Sequence, residues 1–212
     1  MRLKPPCRSH DFRAKDIYGE RFQLSKLQGK RVMLSFFRDA DCPFCNYRLY
    51  ELTQKYDEWK EAGLEIVVMF TDRKDQVLAS VAKRPRPFTM ICDPKLGLYE
   101  KYGVEKSASA LVKAIVFNGG EIIRGFKQGA RPTNNPHITV VPADFLIDVD
   151  GSVVDVWYGK DTADHIPMQR LKKFASMENI KAADKMQEEL AALRQENANL
   201  REKVADERKK NR

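Results

Sequence analysis

The chain has 212 residues with 38 basic and 30 acidic side chains, a formal net charge of +8, and 42% apolar residues. That is enough apolar material for one domain core and too little chain for two large domains. No apolar run approaches the roughly 18 residues of a membrane-spanning helix, which excludes that class. Four cysteines in this length do not make a disulfide scaffold.

In chain order, the N-terminal stretch MRLKPPCRSHDF has no continuous apolar segment of the kind a secretory leader carries, so a cytoplasmic location is expected. Residues 31–37 (RVMLSFF) follow a Gly-Lys turn and read as a buried strand. Residues 46–61 place Leu49, Leu52, Tyr56 and Trp59 at helical spacing. Residues 64–71 (LEIVVMFT) read as a second buried strand, and 73–83 as a helix stopped by Pro85 and Pro87. Residues 107–117 fit a helix less firmly, and 131–136 (RPTNNP) must be loop. Residues 143–149 and 152–158 read as strands joined through Asp150-Gly151, a tight-turn signal. Residues 164–177 read as the last helix of the body. This order gives an α/β fold: a mixed central sheet, parallel where a helix crosses over and antiparallel at the closing hairpin, flanked by helices.

Chemistry concentrates at Cys42-Pro43-Phe44-Cys45, directly after the first buried strand and directly before the first helix. Pro43 suits the first helical turn, where its missing N–H costs nothing. Cys42 then falls at the helix N-cap, where unpaired N–H groups and the helix dipole favour thiolate over thiol. Cys45 lies one turn deeper on the same face, so an exposed Cys42 thiolate and a resolving Cys45 can cycle between dithiol and disulfide. Two alternatives stand beside this. A zinc site needs two more ligands, and the available Cys7, Cys92, His10, His137 and His165 form no second paired motif. Two inert structural cysteines are the other. Cys92 reads as buried and inert, and Cys7 as incidental in a mobile N-terminal segment. Val141-Pro142 precedes a strand; on its own an ordinary trans bond is expected there, but an upstream CxxC makes a cis proline facing the dithiol the better expectation.

Residues 177–212 carry 9 basic and 8 acidic side chains and no Gly, Pro or aromatic residue, which separates a body (1–176) from a tail (177–212). Ala183, Leu190, Asn197 and Val204 repeat every seven residues, with Met186, Leu193 and Leu200 at the complementary apolar position. Glu189 and Glu196 face Arg194 and Arg201 across a parallel pair, and a single Asn197 in the seam favours an in-register dimer. A coiled-coil homodimer is expected, with a lone solvated helix or a different partner chain as alternatives. The basic end RKKNR follows the heptads rather than preceding them, so nucleic acid is not an expected partner.

Several segments carry a family resemblance. They are Asp16–Glu20 with Leu24–Lys30; Phe36-Phe37-Arg38-Asp39-Ala40-Asp41-Cys42-Pro43-Phe44-Cys45-Asn46; Cys92-Asp93-Pro94 with Tyr102-Gly103-Val104; and Phe145–Gly151. Over residues 9 to about 175 the chain resembles the thioredoxin-like superfamily and, within it, the alkyl hydroperoxide reductase/thiol-specific antioxidant (peroxiredoxin-like) family. The resemblance implies a thioredoxin-like fold and a thiol oxidoreductase needing no metal or organic cofactor. Its substrates would be peroxides or protein disulfides, and an external dithiol would reset it. Two departures matter. The family's Pro seven residues before the reactive Cys and its Thr or Ser three before are Ser35 and Asp39 here. The Arg it places before the late strand is replaced by Val141-Pro142. Arg38 is close enough in sequence to Cys42 to substitute as a cation, or is a surface arginine ending a strand. A redox-quiet module that recruits a partner through its tail is the alternative function.

Overall fold

A computed structural model describes residues 1–81, 85–128, 130–131, 135–176 and 195. Eight strands and six helices are built from them: β1 (Cys7–Arg8), β2 (Arg13–Lys15), β3 (Arg21–Gln23), β4 (Arg31–Phe36), α1 (Pro43–Glu61), β5 (Leu64–Phe70), α2 (Lys74–Val81), β6 (Thr89–Cys92), α3 (Gly97–Lys101), α4 (Ala108–Phe117), α5 (Gly119–Lys127), β7 (Ala143–Ile147), β8 (Ser152–Tyr158) and a last helix over 168–176, with a 3-10 turn at Leu24–Leu27 besides. The chain divides into a unit over Met1–Ala175 and a second over Ser176–Arg212. The heptad positions Met186, Leu190, Leu193, Asn197, Leu200 and Val204 lie outside the described residues; Gln195 is helical and exposed.

The sheet has the order β1-β8-β7-β4-β5-β6, and β2-β3 form a separate two-stranded ribbon. β4 runs parallel to β5, and β5 to β6, while β7 is antiparallel to both β4 and β8. The mixed sheet expected from the element order is therefore present. β4 is buried at all six positions, as befits a central strand rich in apolar residues, Val32 to Leu34 and Phe36 among them. Its Val32, Leu34 and Phe36 join Val67, Met69, Tyr99, Tyr102 and Phe145 in the main core. The alternate residues face the other side of the sheet, where Ser35 pairs across the strands with Asp144. The β7–β8 connection is a tight turn in which Gly151, at φ 83°, donates to Asp148 O at 2.9 Å. A side chain is disfavoured in that left-handed conformation, which explains the glycine.

Three boundaries differ from the sequence reading. The last helix starts after Pro167 rather than at Asp164, because Asp164 is committed elsewhere: its carboxylate accepts Trp157 Nε1 at 3.1 Å and Lys160 N at 2.8 Å. Cys7 is held in β1 opposite Val153 instead of lying in a mobile segment. β6, α3 and α5 were not visible in the pattern at all. α4 explains part of the difficulty: it is apolar all round, yet Val112, Ile115, Val116 and Phe117 remain exposed.

Candidate active site

Cys42 is the N-cap of α1 and Pro43 its first residue, so the helix starts where the CPFC motif requires. The loop Arg38–Asp41, between β4 and α1, is fixed from several directions. Thr71 donates to Arg38 O through its backbone N–H (3.1 Å) and its hydroxyl (2.5 Å). Asp72 accepts Ala40 N at 2.7 Å, and Asn46 Nδ2 donates to Ala40 O at 2.5 Å. Asn135 Nδ2 donates to Asp72 (2.5 Å) and to Thr71 Oγ1 (2.8 Å), and Arg131 N donates to Asp41 O (3.0 Å). Buried polar groups this densely paired hold a loop in one geometry.

Arg38 is not a surface residue. It is 4% exposed, and Nη2 lies 2.6 Å from Cys42 Sγ while Nη1 donates to Ile138 O at 2.7 Å. Its Nε lies 3.4 Å from Asp39 Oδ2. Burial works against a charged sulfur, but the hydrogen bond from Cys45 and the Arg38 charge outweigh it and hold Cys42 below the ordinary thiol value. Cys45 is pushed well up by burial, by its hydrogen bond to Cys42 and by that sulfur's charge. The two thiols are thus separated in acidity, Cys42 toward thiolate and Cys45 toward the protonated form. Both cysteines are reduced.

Two expectations about this site are corrected. Cys42 is fully buried rather than exposed. Beside it α5 crosses the start of α1 so closely that a Cβ on Gly125 would fall 2.0 Å from Pro43 O. The Val141–Pro142 bond is not cis: the described residues contain one cis bond, Pro5–Pro6. Pro142 immediately precedes β7, with Val141 N donating to Glu105 O and Gly159 N donating to Pro142 O, both at 2.9 Å. A trans strand-start proline satisfies that ladder without needing its own N–H. With Val141 it lines a cavity shared with Arg2, Glu105 and Tyr158. Cys92, at the end of β6, is half-buried, and burial followed by the charge of Asp72 pushes its thiol up to about 12, so it stays protonated.

The pattern did not reveal Asp39, Asp72 or Asn135, nor a second buried polar group behind them. Asp144 accepts from the Ser35 hydroxyl, from Ile166 N at 2.7 Å and from His165 Nδ1 at 3.1 Å. Burial opposes its ionisation, but His165 and then Arg48 hold the carboxyl below its usual range. The His165 ring stacks at 4.5 Å on Phe37, the residue that leads into the reactive loop. Among the described residues no group of His, Cys, Asp and Glu side chains is arranged to hold a metal ion. No helix among them is long and apolar enough to cross a membrane.

Comparison with known proteins shows the family. The AhpC/TSA family model matches residues 7–156. Peroxiredoxin Bcp of Escherichia coli (strain K12) is 27% identical over 154 residues, covering 73% of this chain and 85% of that protein. Thiol-disulfide oxidoreductase ResA of Halalkalibacterium halodurans is 26% identical over 115 residues, 54% of this chain and 63% of that one. Among solved structures, peroxidoxin BcpB from Mycobacterium tuberculosis superposes with a TM-score of 0.59 at 19% identity, covering 82% of this chain and 95% of that one. A putative thiol:disulfide interchange protein DsbE from Chlorobium tepidum gives 0.58 at 22% identity, with 82% and 98% covered. Those two likenesses place the fold among thioredoxin-like proteins, and the chain belongs to the AhpC/TSA family.

Proposed function

We propose that this chain is a thiol-based oxidoreductase in which Cys42 attacks and Cys45 resolves. The observation that carries the reading is Cys42 at the N-terminus of α1 with Arg38 Nη2 2.6 Å from its sulfur. That arrangement supplies a stabilised thiolate and, in Arg38, a cation for the oxygen or sulfur that departs. With a hydroperoxide, the Cys42 thiolate attacks the distal oxygen and the O–O bond breaks. The alkoxide leaves with a proton, and Cys42 becomes a sulfenic acid. Cys45 then attacks that sulfur, water leaves, and a Cys42–Cys45 disulfide remains. With a disulfide substrate, a mixed disulfide takes the place of the sulfenic acid. An external dithiol reduces the pair again. The heptads of residues 177–212 support a parallel homodimer of such units.

Reduced protein mixed with hydrogen peroxide, or with a model disulfide, tests the reading by mass readout of both cysteines. The expected result is a Cys42–Cys45 disulfide formed faster than a free thiol reacts, and loss of that reaction in Cys42→Ser. Unchanged reduction of both substrates by Cys42→Ser refutes it. Sedimentation of a chain ending at residue 176 tests the dimer, which is refuted if the truncated protein keeps the oligomeric state of the full chain.

A further inference from the structure

The ribbon of β2 and β3 stands beside the sheet edge at β6, joined to it where Ile17 N donates to Met90 O at 3.0 Å and Asp16 bridges Ile91. Between ribbon and edge lies a surface cleft of about 580 Å³, the size of a pocket for a small organic molecule. It opens beyond the carboxyl ends of the parallel strands β5 and β6: Arg73 and Lys74 come after β5, while Cys92 ends β6 and Asp93 follows it. In open α/β sheets that end is where ligands collect. Neither Cys42 nor Cys45 lines it.

The walls carry an excess of positive charge. Four cations, Arg13, Lys15, Arg73 and Lys74, line the cleft against two carboxylates, Asp16 and Asp93. Strand alternation puts Arg13 and Lys15 on one face of β2, while Ala14 packs against the core. Both carboxylates are committed to the backbone. Asp16 Oδ1 accepts Tyr18 N at 2.9 Å and Glu20 N at 2.8 Å, and Asp93 Oδ2 accepts Leu98 N at 2.6 Å. Arg73 is paired with Asp75 at 3.2 Å. Among the described residues Arg13, Lys15 and Lys74 make no hydrogen bond or ion pair. Lys15 also stands directly opposite Arg21 in the β2–β3 register, and like charges so placed destabilise a ribbon. An anion bound beside them offsets that repulsion. Apolar surface from Ala14, Ile91, Pro94 and Leu98 completes the lining.

We propose that this cleft binds a small organic phosphate carrying at least two negative charges, the class to which a nucleoside diphosphate belongs. A single carboxylate would leave most of these cations unpaired. Arg13 supplies a planar fork for phosphate oxygens, and Lys15 and Lys74 supply point charges. The organic part lies on the apolar lining. No covalent bond is made or broken. Binding here is independent of the Cys42/Cys45 reading, because it needs no reaction at either sulfur.

The probe is ADP, added to the full chain, with adenosine and citrate as comparisons. The readouts are thermal unfolding and lysine acetylation followed by mass. ADP should raise the melting temperature, and at about ten times its dissociation constant it should slow acetylation of Lys15 and Lys74 by about tenfold. Lys55 on α1, paired with Glu58, should react at an unchanged rate. Adenosine should do neither. In the double variant Lys15→Gln, Lys74→Gln the ADP affinity should fall by about tenfold or more. Without ligand this variant should melt no lower than wild type, because the Lys15–Arg21 repulsion is gone, whereas a structural role for the lysines would lower it. Wild-type ADP affinity in the double variant overturns the proposal. So does adenosine protecting as well as ADP, or citrate, which has no group to lie on the apolar lining, binding as tightly. Acetylation of Lys15 and Lys74 as fast with millimolar ADP as without it overturns the proposal by itself, a measurement that stands even if the double variant does not fold.

Discussion

Replacing Arg38 by methionine isolates what the guanidinium does for Cys42. Nη2 lies 2.6 Å from Sγ, which puts the two charge centres about 4 Å apart. At an effective dielectric of about 20, such a pair interacts by about 4 kcal/mol, or about three pH units of thiolate stabilisation. Part of this is returned, because Asp39 loses its cation too. Its carboxyl, already raised to about 6, rises further, becomes neutral near pH 7 and stops repelling the Cys42 sulfur. The net expectation is a rise of about one to three pH units in the Cys42 midpoint. The assay is the pH dependence of alkylation of reduced protein by iodoacetamide, with mass readout of Cys42. An unchanged midpoint in a folded Arg38→Met protein refutes the reasoning and leaves the helix terminus and the Cys45 hydrogen bond as the whole cause.

Two further outcomes follow from the packing around the site. Gly125→Ala forces a Cβ to within 2.0 Å of Pro43 O, so α5 must back away from α1; melting should fall by an amount worth about 1–3 kcal/mol while alkylation of Cys42 at fixed pH accelerates, and an unchanged alkylation rate would show that α5 does not limit access. Asp144→Ala strands the Ser35 hydroxyl, His165 Nδ1 and Ile166 N–H in the interior and should cost about 3–5 kcal/mol in urea unfolding. Because the Asp144 carboxyl is held below its ordinary 3.8, its contribution is fully present above that pH and is lost as pH falls through the lower folded value; the stability gap to Asp144→Asn should therefore close on acidification, and a gap constant down to pH 2 contradicts the assignment.

The residues that were legible in advance are those whose role is written locally. β4 and β5 announce themselves as short, mostly apolar runs, and α1 by the spacing of Leu49, Leu52, Tyr56 and Trp59. Strand-CPFC-helix fixes Cys42 as N-cap because proline belongs in a first helical turn. Partners distant in the chain were not legible. Asn135 reaches Asp72 across 63 positions, and His165 reaches Asp144 across 21, with no period or motif connecting them. The Pro142 expectation failed because it borrowed a rule from proteins with the same cysteine spacing. The local ladder, with Glu105 on one side and Gly159 on the other, holds an ordinary trans strand start. The exposure of Cys42 failed for a related reason: the weakly patterned stretch that contains α5 gave no sign that it packs against the start of α1.

The active loop is also a place where the fold is held in a costly state. Holding Asp39 ionised at pH 7, with its carboxyl moved from 3.8 to about 6, costs about 3 kcal/mol. Asp72 adds to that cost by its charge, and its own carboxyl is raised by burial against hydrogen bonds from Ala40 N and Asn135. A set of apolar side chains at 39 and 72 would pack the same space without either penalty. The sign of the linkage follows: because the folded Asp39 value is raised, its cost is absent below about pH 4 and grows as pH rises through 6. The loop is therefore least comfortable where Cys42 is a thiolate and Asp39 a carboxylate together, with one guanidinium between them. A buried arrangement of that kind does not earn its place through stability. The penalty falls on the loop that carries Arg38 and Cys42, where the proposed thiol chemistry calls for charge in the interior.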